Sequence, residues 1–175
     1  MNDMEPVEAY SRFVLRKLRS DEIASLANSW LSNGTFTETL NQLWCEKEPV
    51  MSSVGPLFEK AMIELGVERP DRLEAARTII RATLKRIIQS KIPPDEGAAF
   101  LYWDVYLEIS AEWPNEKYAG DCLGLENIFC WLREIWDCRD GSLILYYSDL
   151  PRSEAEEKFK QHLIDESRKW LEKTS

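Results

Sequence analysis

Residues 91–112 read KIPPDEGAAFLYWDVYLEISAE, and their pattern is the strongest indication of the fold class. Pro93 disfavours helical geometry in the residue before it, and Pro94 suits the first position of a new helix. The two acids that follow would face the positive end of the helix dipole. From there to about Glu112 the segment is apolar around most of a helical circumference. Such a helix is typical of the centre of a bundle.

Helical periodicity extends along most of the remaining chain, where apolar residues recur at i, i+3, i+4 and i+7. Trp30, Trp44 and Trp170 fall on such stripes, so we expect them to be buried. Residues 142–147 have the composition of a strand, but an isolated strand has no sheet to join. The sequence therefore predicts an all-α, single-domain bundle of about seven or eight helices over residues 1–175, with at most one short extended segment near 142–147.

Length and composition limit the class of protein. The chain has 175 residues, 44% of them apolar and 30% charged, which is typical of a soluble globular protein. No apolar run approaches the roughly 20 residues that cross a bilayer, and the acidic N-terminus lacks the pattern of a signal peptide. We therefore expect a cytoplasmic protein. A pI near 4.8 opposes binding to nucleic acid and to anionic membranes.

Acidic and aromatic residues are concentrated in residues 92–149. This block holds twelve carboxylates and three basic side chains, so its formal charge of −9 equals that of the whole chain. It also holds four of the seven Trp and five of the six Tyr. Acids beside exposed aromatic rings suit the capture of a cationic partner, whereas acids beside buried rings are the solvated side of a core.

One row of carboxylates stands out on the helix after Pro94, since Asp104, Glu108 and Glu112 are spaced i, i+4, i+8. The row has three interpretations: a metal site, a surface that binds lysine and arginine side chains, or the solvated face of a buried helix. The acids also match a row of basic residues on the preceding helix, with which they would pair if the two helices are antiparallel: Arg77, Arg81 and Lys85.

The residues that usually carry metal or redox chemistry are sparse. His162 is the only histidine, and no His-Glu-x-x-His, Glu-x-x-His or Cys-x-x-Cys motif is present. We expect the four cysteines to be buried, free thiols, and we expect no cofactor and no catalytic residue. A carboxylate-dependent metal hydrolase remains an alternative, because acids from several helices could converge.

The loop after the carboxylate row is the second candidate site. Trp113, Glu116 and Tyr118 lie in the segment 112–120, which reads EWPNEKYAG. Rigid rings supply contact area and acids steer a basic partner, so a protein-binding site is one interpretation. A loop that folds back on the core is the other.

Ile92-Pro93-Pro94-Asp95-Glu96-Gly97-Ala98, followed by Trp103 and Gly124-Leu125-Glu126, resembles a segment of small all-helical bacterial proteins of unknown function. In that group an Ile-x-Pro-x-Glu-Gly-Ala segment precedes an aromatic helix. The resemblance covers the C-terminal half and implies no catalytic residue. In composition alone, the chain is also similar to immunity proteins that neutralise bacterial toxins.

The leading hypothesis is therefore a non-enzymatic acidic domain that binds a basic protein partner, in the manner of an immunity-type inhibitor. Its predicted contact residues lie in the row and the loop: Asp104, Glu108, Glu112, Trp113, Glu116 and Tyr118. The alternatives are the metal hydrolase and a homo-oligomeric helical protein whose aromatic surface pairs with itself.

Overall fold

The computed structural model describes residues 4–174, and within them we count eight helices and no strand. Seven of these helices are regular, and the remaining one, α6, changes its helical type along its length. The seven regular helices are α1 (Pro6–Val14), α2 (Ser20–Ser32), α3 (Glu38–Cys45), α4 (Met51–Glu64), α5 (Arg72–Ile88), α7 (Glu126–Asp140) and α8 (Arg152–Lys173).

The helix α6 consists of four consecutive segments. An α-helix, Pro94–Phe100, runs into a π-helix, Leu101–Tyr106, and then into a short α turn, Leu107–Ile109. A 3₁₀ turn, Ser110–Glu112, ends it. A second 3₁₀ turn lies in the loop before α7, at Asp121–Leu123. The helix begins as expected, with Pro93 as the N-cap residue and Pro94 in the first turn.

The all-α prediction is confirmed, and residues 142–147 form an irregular segment rather than a strand. The chain divides into two compact units, unit 1 (Met1–Ile79) and unit 2 (Ile80–Ser175). Each unit is described by itself below, and the single domain over 1–175 stays a prediction. Over the described part of the chain, none of the helices has both the length and the apolar character that a membrane crossing requires.

In unit 1, helices α2, α3 and α4 pack against one another and α1 contacts α4. Phe58 lies at the centre of the core, with the ring of Tyr10 edge-on at 6.0 Å and that of Trp30 at 6.4 Å. Trp30 is buried, and its indole nitrogen donates a 2.9 Å hydrogen bond to the carbonyl of Met4. Trp44 is 55% exposed, so the prediction of burial is correct for Trp30 and wrong for Trp44.

In unit 2, α7 and α8 are antiparallel, because the start of α7 meets the end of α8 through Asn127 and Glu166 and the opposite ends meet through Arg139 and Glu156. Helix α6 packs on both. Trp170 is buried as predicted, and its indole nitrogen donates to a carbonyl in the loop before α7 at 2.8 Å. The core consists of one apolar face from each helix: Leu101, Val105, Ile109, Ile128, Leu132, Ile135, Phe159 and Leu163.

An ion-pair network anchors the N-terminal end of α6 to α7 and α8. The guanidinium of Arg139 contacts Asp95 at 2.8 Å and Glu156 at 2.7 Å, and Lys160 contacts Glu156 at 2.9 Å. Asp95 is buried, so this pairing compensates for the loss of hydration of its carboxylate. The network orients the segment of α6 that leads into the π-helix.

Candidate functional site

Five aromatic side chains form one cluster between α6 and α7, which we call the aromatic cluster: Tyr102, Trp103, Tyr106, Phe129 and Trp136. Tyr102 is its centre, with ring centroids at 4.9 Å from Trp103, 5.1 Å from Phe129 and 6.0 Å from Trp136. All three of these contacts are edge-on, the geometry that aromatic quadrupoles favour. Trp103 and Trp136 are stacked, with centroids 6.1 Å apart and ring planes inclined by 28°.

The cluster has a buried base and an exposed rim. Phe129 and Tyr106 are buried, whereas Trp103 is 56% exposed and Leu107, one turn further along α6, is 42% exposed. The expectation that α6 is buried around most of its circumference is therefore wrong. The residues that pack inward are Leu101, Val105 and Ile109, so positions 103 and 107 lie on the other side of the helix.

The π-helical turn determines how α6 presents this rim. The amide of Leu107 donates to the carbonyl of Tyr102, five residues earlier, which widens the turn relative to an α-helix. The predicted row of carboxylates assumed 3.6 residues per turn throughout. Instead, Asp104 lies in the π-helix, Glu108 in the α turn and Glu112 in the 3₁₀ turn. Asp104 and Glu108 are partly exposed and Glu112 is exposed.

The predicted contact residue Glu116 makes an internal link. Its carboxylate accepts a 2.8 Å hydrogen bond from the hydroxyl of Tyr106 and a 2.7 Å hydrogen bond from the amide of Cys122. Burial by itself would raise the pKa of Glu116, but these hydrogen bonds outweigh it and hold the pKa below its usual value. Burial and the same carboxylate raise the pKa of Tyr106 to about 12. Glu116 thus connects the loop to the base of the aromatic cluster.

The two aromatic residues of the loop differ in exposure. Trp113 is half-buried at the end of α6, whereas Tyr118 is 59% exposed. The ammonium of Lys117 lies 5.0 Å from the ring centroid of Tyr118, a distance at which the chain's own cation interacts with that ring. The ring of Tyr118 therefore already interacts with a cation of the same loop.

Three residues at the edge of the aromatic cluster were absent from the predicted site, the exposed Trp103 and Leu107 and the partly exposed Trp136. A signal for the first two was present, because Trp103 precedes Asp104 and Leu107 precedes Glu108. An apolar row with the same four-residue spacing accompanies the acidic row. Trp136 is contributed by a distant segment, and the sequence offers no comparable sign of its contact with Trp103.

Helix α7 adds charged groups next to Trp136. Arg133 is 72% exposed along its side chain and its Nε lies 3.1 Å from the carboxylate of Asp137, which is buried. Asp140 is exposed and accepts a 2.8 Å hydrogen bond from the amide of Ser142. The pKa of Asp140 is lowered, chiefly by hydrogen bonding to Ser142. The α7 side of the rim thus carries more acid than base.

The residues that could bind a metal or act as a general acid or base lie outside the aromatic cluster. His162 packs against the ring of Trp131 at 4.6 Å and shares a 2.7 Å hydrogen bond with the hydroxyl of Tyr147. Cys138 is buried as expected, but Cys45, Cys122 and Cys130 are exposed, so the prediction of four buried thiols is wrong for three. Among residues 4–174, no three His, Cys, Asp or Glu side chains form a group that could hold a metal ion.

Comparisons of the chain with protein-family models, with curated proteins and with solved structures gave no match. The resemblance of residues 92–98 to small helical bacterial proteins of unknown function stays a prediction.

Proposed function

We propose that unit 2 is a non-enzymatic binding domain that holds a basic segment of a protein partner on an exposed surface of α6 and α7. This surface, which we call the acidic aromatic surface, comprises Trp103, Asp104, Leu107 and Glu108 of α6 and Trp136 of α7. The observation that carries the proposal is the 56% exposure of Trp103, directly before a carboxylate in a π-helical turn. Such turns are frequent at functional sites.

Covering the exposed ring of Trp103 would contribute favourable free energy to binding. An aromatic side chain buries about 150–250 Å² in a core, so covering the exposed half of Trp103 would remove roughly 100 Å² from water. At about 25 cal/mol per Å² this contributes ~2.5 kcal/mol, and burial of Leu107 adds to it. A central aromatic residue surrounded by polar groups is the usual composition of an interface hot spot.

The ring is also held in place before a partner arrives. The edge-on contact with Tyr102 at 4.9 Å and the stack on Trp136 at 6.1 Å restrict the indole of Trp103. A side chain that is already ordered loses little conformational entropy on binding. The aromatic cluster therefore presents Trp103 as a rigid contact rather than a mobile one.

Charge determines which partners approach this surface. Residues 92–149 carry twelve carboxylates against three basic side chains. An acidic surface accelerates encounters with basic proteins and repels acidic ones, and salt weakens both effects. The specific form we propose is an immunity-type inhibitor of a basic bacterial protein, which the acidic composition favours.

The test uses a fluorescent basic peptide that interleaves cationic and apolar residues, titrated with the protein at low and high salt. We expect wild-type protein to bind at low salt, with salt-dependent affinity. Trp103→Ala and the double variant Asp104→Asn/Glu108→Gln should each weaken binding at least tenfold, a loss of about 1.4 kcal/mol. Trp44→Ala is the matched control, because Trp44 is 55% exposed but lies in unit 1. Equal binding by all four proteins, or none by wild type, would overturn the proposal.

A further inference from the structure

We infer that residues 142–150, which we call the strap, open as a local unit and uncover an aromatic layer on α7 and α8 while both helices stay folded. The strap connects Gly141, the C-cap residue of α7, to Pro151, the N-cap residue of α8. It determines when the side chains beneath it are accessible. This inference concerns a moving part of unit 2 and does not depend on the proposed function.

Most side chains of the strap already lie in water. Leu143, Leu145 and Tyr146 are 78%, 72% and 51% exposed, whereas Ile144 is buried. Residues 142–150, all of them described by the structure, form neither helix nor strand. Segments with few buried apolar contacts open most easily, because little apolar surface is transferred to water when they do. Opening the strap therefore exposes chiefly one isoleucine, and not a whole helix face.

Two side chains of the neighbouring helices hold the strap closed. The buried carboxylate of Glu134 in α7 accepts a 2.9 Å hydrogen bond from the amide of Leu145. The hydroxyl of Tyr147 shares a 2.7 Å hydrogen bond with the imidazole of His162 in α8. A third bond, from the amide of Leu150 to the carbonyl of Tyr147 at 3.0 Å, lies within the strap and moves with it. Both external bonds can therefore break without loss of a helical hydrogen bond.

The backbone of the strap is strained where it is held to α8. Tyr147 has a φ of 54°, in the left-handed region that a bulky side chain rarely adopts. Such strain persists only where surrounding contacts impose it, and it is concentrated at switching segments. The contacts here are those of the Tyr147 ring, which is parallel to His162 within 6° and lies 5.6 Å from Phe159. Opening releases the strain and so offsets part of the contacts that are lost.

The strap covers an aromatic layer made of Trp131 from α7 and of Phe159 and His162 from α8. Trp131 stacks on His162, with ring centroids 4.6 Å apart, and on Phe159, with centroids 6.0 Å apart. Tyr146 of the strap lies against the other members through Trp131, at 5.4 Å. When the strap opens, the rings of Tyr146 and Tyr147 leave this layer, and its apolar faces become accessible.

The contacts that join α7 to α8 do not depend on the strap. Leu132 and Ile135 of α7 and Leu163 of α8 are buried in the core. Arg139 and Glu156 pair at 2.7 Å beside the ends of the two helices. Because none of these residues belongs to the strap, the helix pair keeps its core when the strap opens.

The experiment measures hydrogen exchange of full-length protein at two amides, Leu145 in the strap and Ile135 in the middle of α7. In wild-type protein the Leu145 amide should exchange at least tenfold faster. Its rate should change little in low urea, because the effect of urea scales with the surface exposed on opening. Tyr147→Phe keeps the ring and removes the hydroxyl, so exchange at Leu145 should accelerate about tenfold, as loss of one hydrogen bond implies.

Two controls separate local opening from unfolding of the whole unit. Ile109→Val weakens the core of α6, so exchange at Ile135 should accelerate about two- to tenfold while exchange at Leu145 stays unchanged. Tyr118→Phe, which alters an exposed ring in another loop of unit 2, should also leave Leu145 unchanged.

Limited digestion with chymotrypsin gives a second measurement. The first cut should fall within the strap, and its rate should rise in Tyr147→Phe but not in Ile109→Val, because cleavage follows the population of the open form. Three results would each overturn the inference. The Leu145 amide could exchange as slowly as that of Ile135, Tyr147→Phe could leave its rate unchanged, or Ile109→Val could accelerate both amides equally.

Discussion

The hydroxyl of Tyr106 donates a 2.8 Å hydrogen bond to Glu116, and the same carboxylate accepts the amide of Cys122 at 2.7 Å. One acidic side chain thus joins the π-helical turn of α6, the loop that follows and the 3₁₀ turn before α7. The ring centroid of Tyr106 lies 5.8 Å from that of Tyr102 and 5.4 Å from that of Phe129. The hydrogen bond to Glu116 therefore also holds the buried base of the aromatic cluster in place.

Replacement of Glu116 should therefore destabilise unit 2. Hydrogen bonds to a charged group contribute about 1.5–3 kcal/mol, so we expect Glu116→Gln to lower the free energy of unfolding by about 2 kcal/mol in urea titrations. Asp149→Asn is the control, since Asp149 is exposed, and it should change stability by no more than ~0.5 kcal/mol. Equal stability of the two variants would contradict a structural role for Glu116.

The raised pKa of Tyr106 should make the free energy of unfolding fall at high pH. Its pKa rises from 10.0 to about 12 in the folded protein, so its contribution is fully present below about pH 10 and is lost as the pH rises towards 12. Two pH units correspond to about 2–3 kcal/mol. Urea midpoints of wild-type protein should fall more steeply over this range than those of Tyr106→Phe. Parallel pH profiles would show that Tyr106 does not titrate abnormally.

Hydrophobic periodicity predicted the all-α fold because each helix buries one face. It predicted burial equally for Trp30, Trp44 and Trp170, which all lie on apolar stripes. Trp30 and Trp170 are buried, whereas Trp44 is 55% exposed. The difference arises in tertiary structure. Trp30 and Trp170 each find a carbonyl acceptor, from Met4 and Leu123 respectively. A stripe shows which residues could be buried, but it does not show how much of it the neighbouring helices cover.

The candidate site was predictable in composition but not in geometry. The acids at Asp104 and Glu108 were identified from their spacing, whereas the apolar pattern of the same helix indicated a central position in the bundle and did not single out the adjacent Trp103. Local spacing assumes 3.6 residues per turn, and the π-helix between Leu101 and Tyr106 breaks that assumption. The internal position of Glu116 depends on a hydrogen bond to a residue ten positions earlier, which spacing alone does not reveal.

Gly97 should not tolerate a side chain. A Cβ at this position would lie 2.7 Å from Cδ1 and 2.8 Å from Cγ1 of Ile87, a buried residue of α5 within unit 2. Overpacking of this kind costs about 1–3 kcal/mol, so Gly97→Ala should lower the melting temperature. Gly55→Ala is the matched helical control. Its Cβ would meet nothing closer than 3.6 Å, and the higher helix propensity of alanine should stabilise unit 1 by up to ~1 kcal/mol. A stability loss confined to Gly55→Ala would contradict this packing.

Arg152 should control the order of the segment between α7 and α8. Its guanidinium donates to the carbonyls of Asp137 at 2.8 Å and Ser142 at 2.9 Å, which joins the end of α7 to the segment. Arg152→Ala should leave those carbonyls without their donor and cost about 1–3 kcal/mol. Hydrogen exchange at the amide of Leu145, which donates to buried Glu134 at 2.9 Å, should accelerate.

Arg168→Ala is the control for that measurement. Arg168 pairs with Asp165 on the exposed face of α8, and exposed pairs contribute about 0–1 kcal/mol. We expect exchange at Leu145 to be unchanged in this variant. Protection of the Leu145 amide that survives Arg152→Ala would show that the segment is held by its buried contacts alone.

The positive charge of Arg133 should weaken binding of a basic partner to the acidic aromatic surface. It places a positive charge on α7 three residues before Trp136, where 72% of its side chain is exposed, so it repels an incoming cation. Loss of one like charge at about 10 Å changes the interaction energy by roughly 0.4–1.6 kcal/mol, depending on the local dielectric constant. Arg133→Gln should therefore bind the basic peptide about two- to fifteenfold more tightly at low salt, and the gain should shrink as salt is added. Arg133→Lys keeps the charge and should show little gain, and Arg168→Gln on α8 should show none. Weaker binding by Arg133→Gln would mean that Arg133 orders the acidic aromatic surface instead of competing for it.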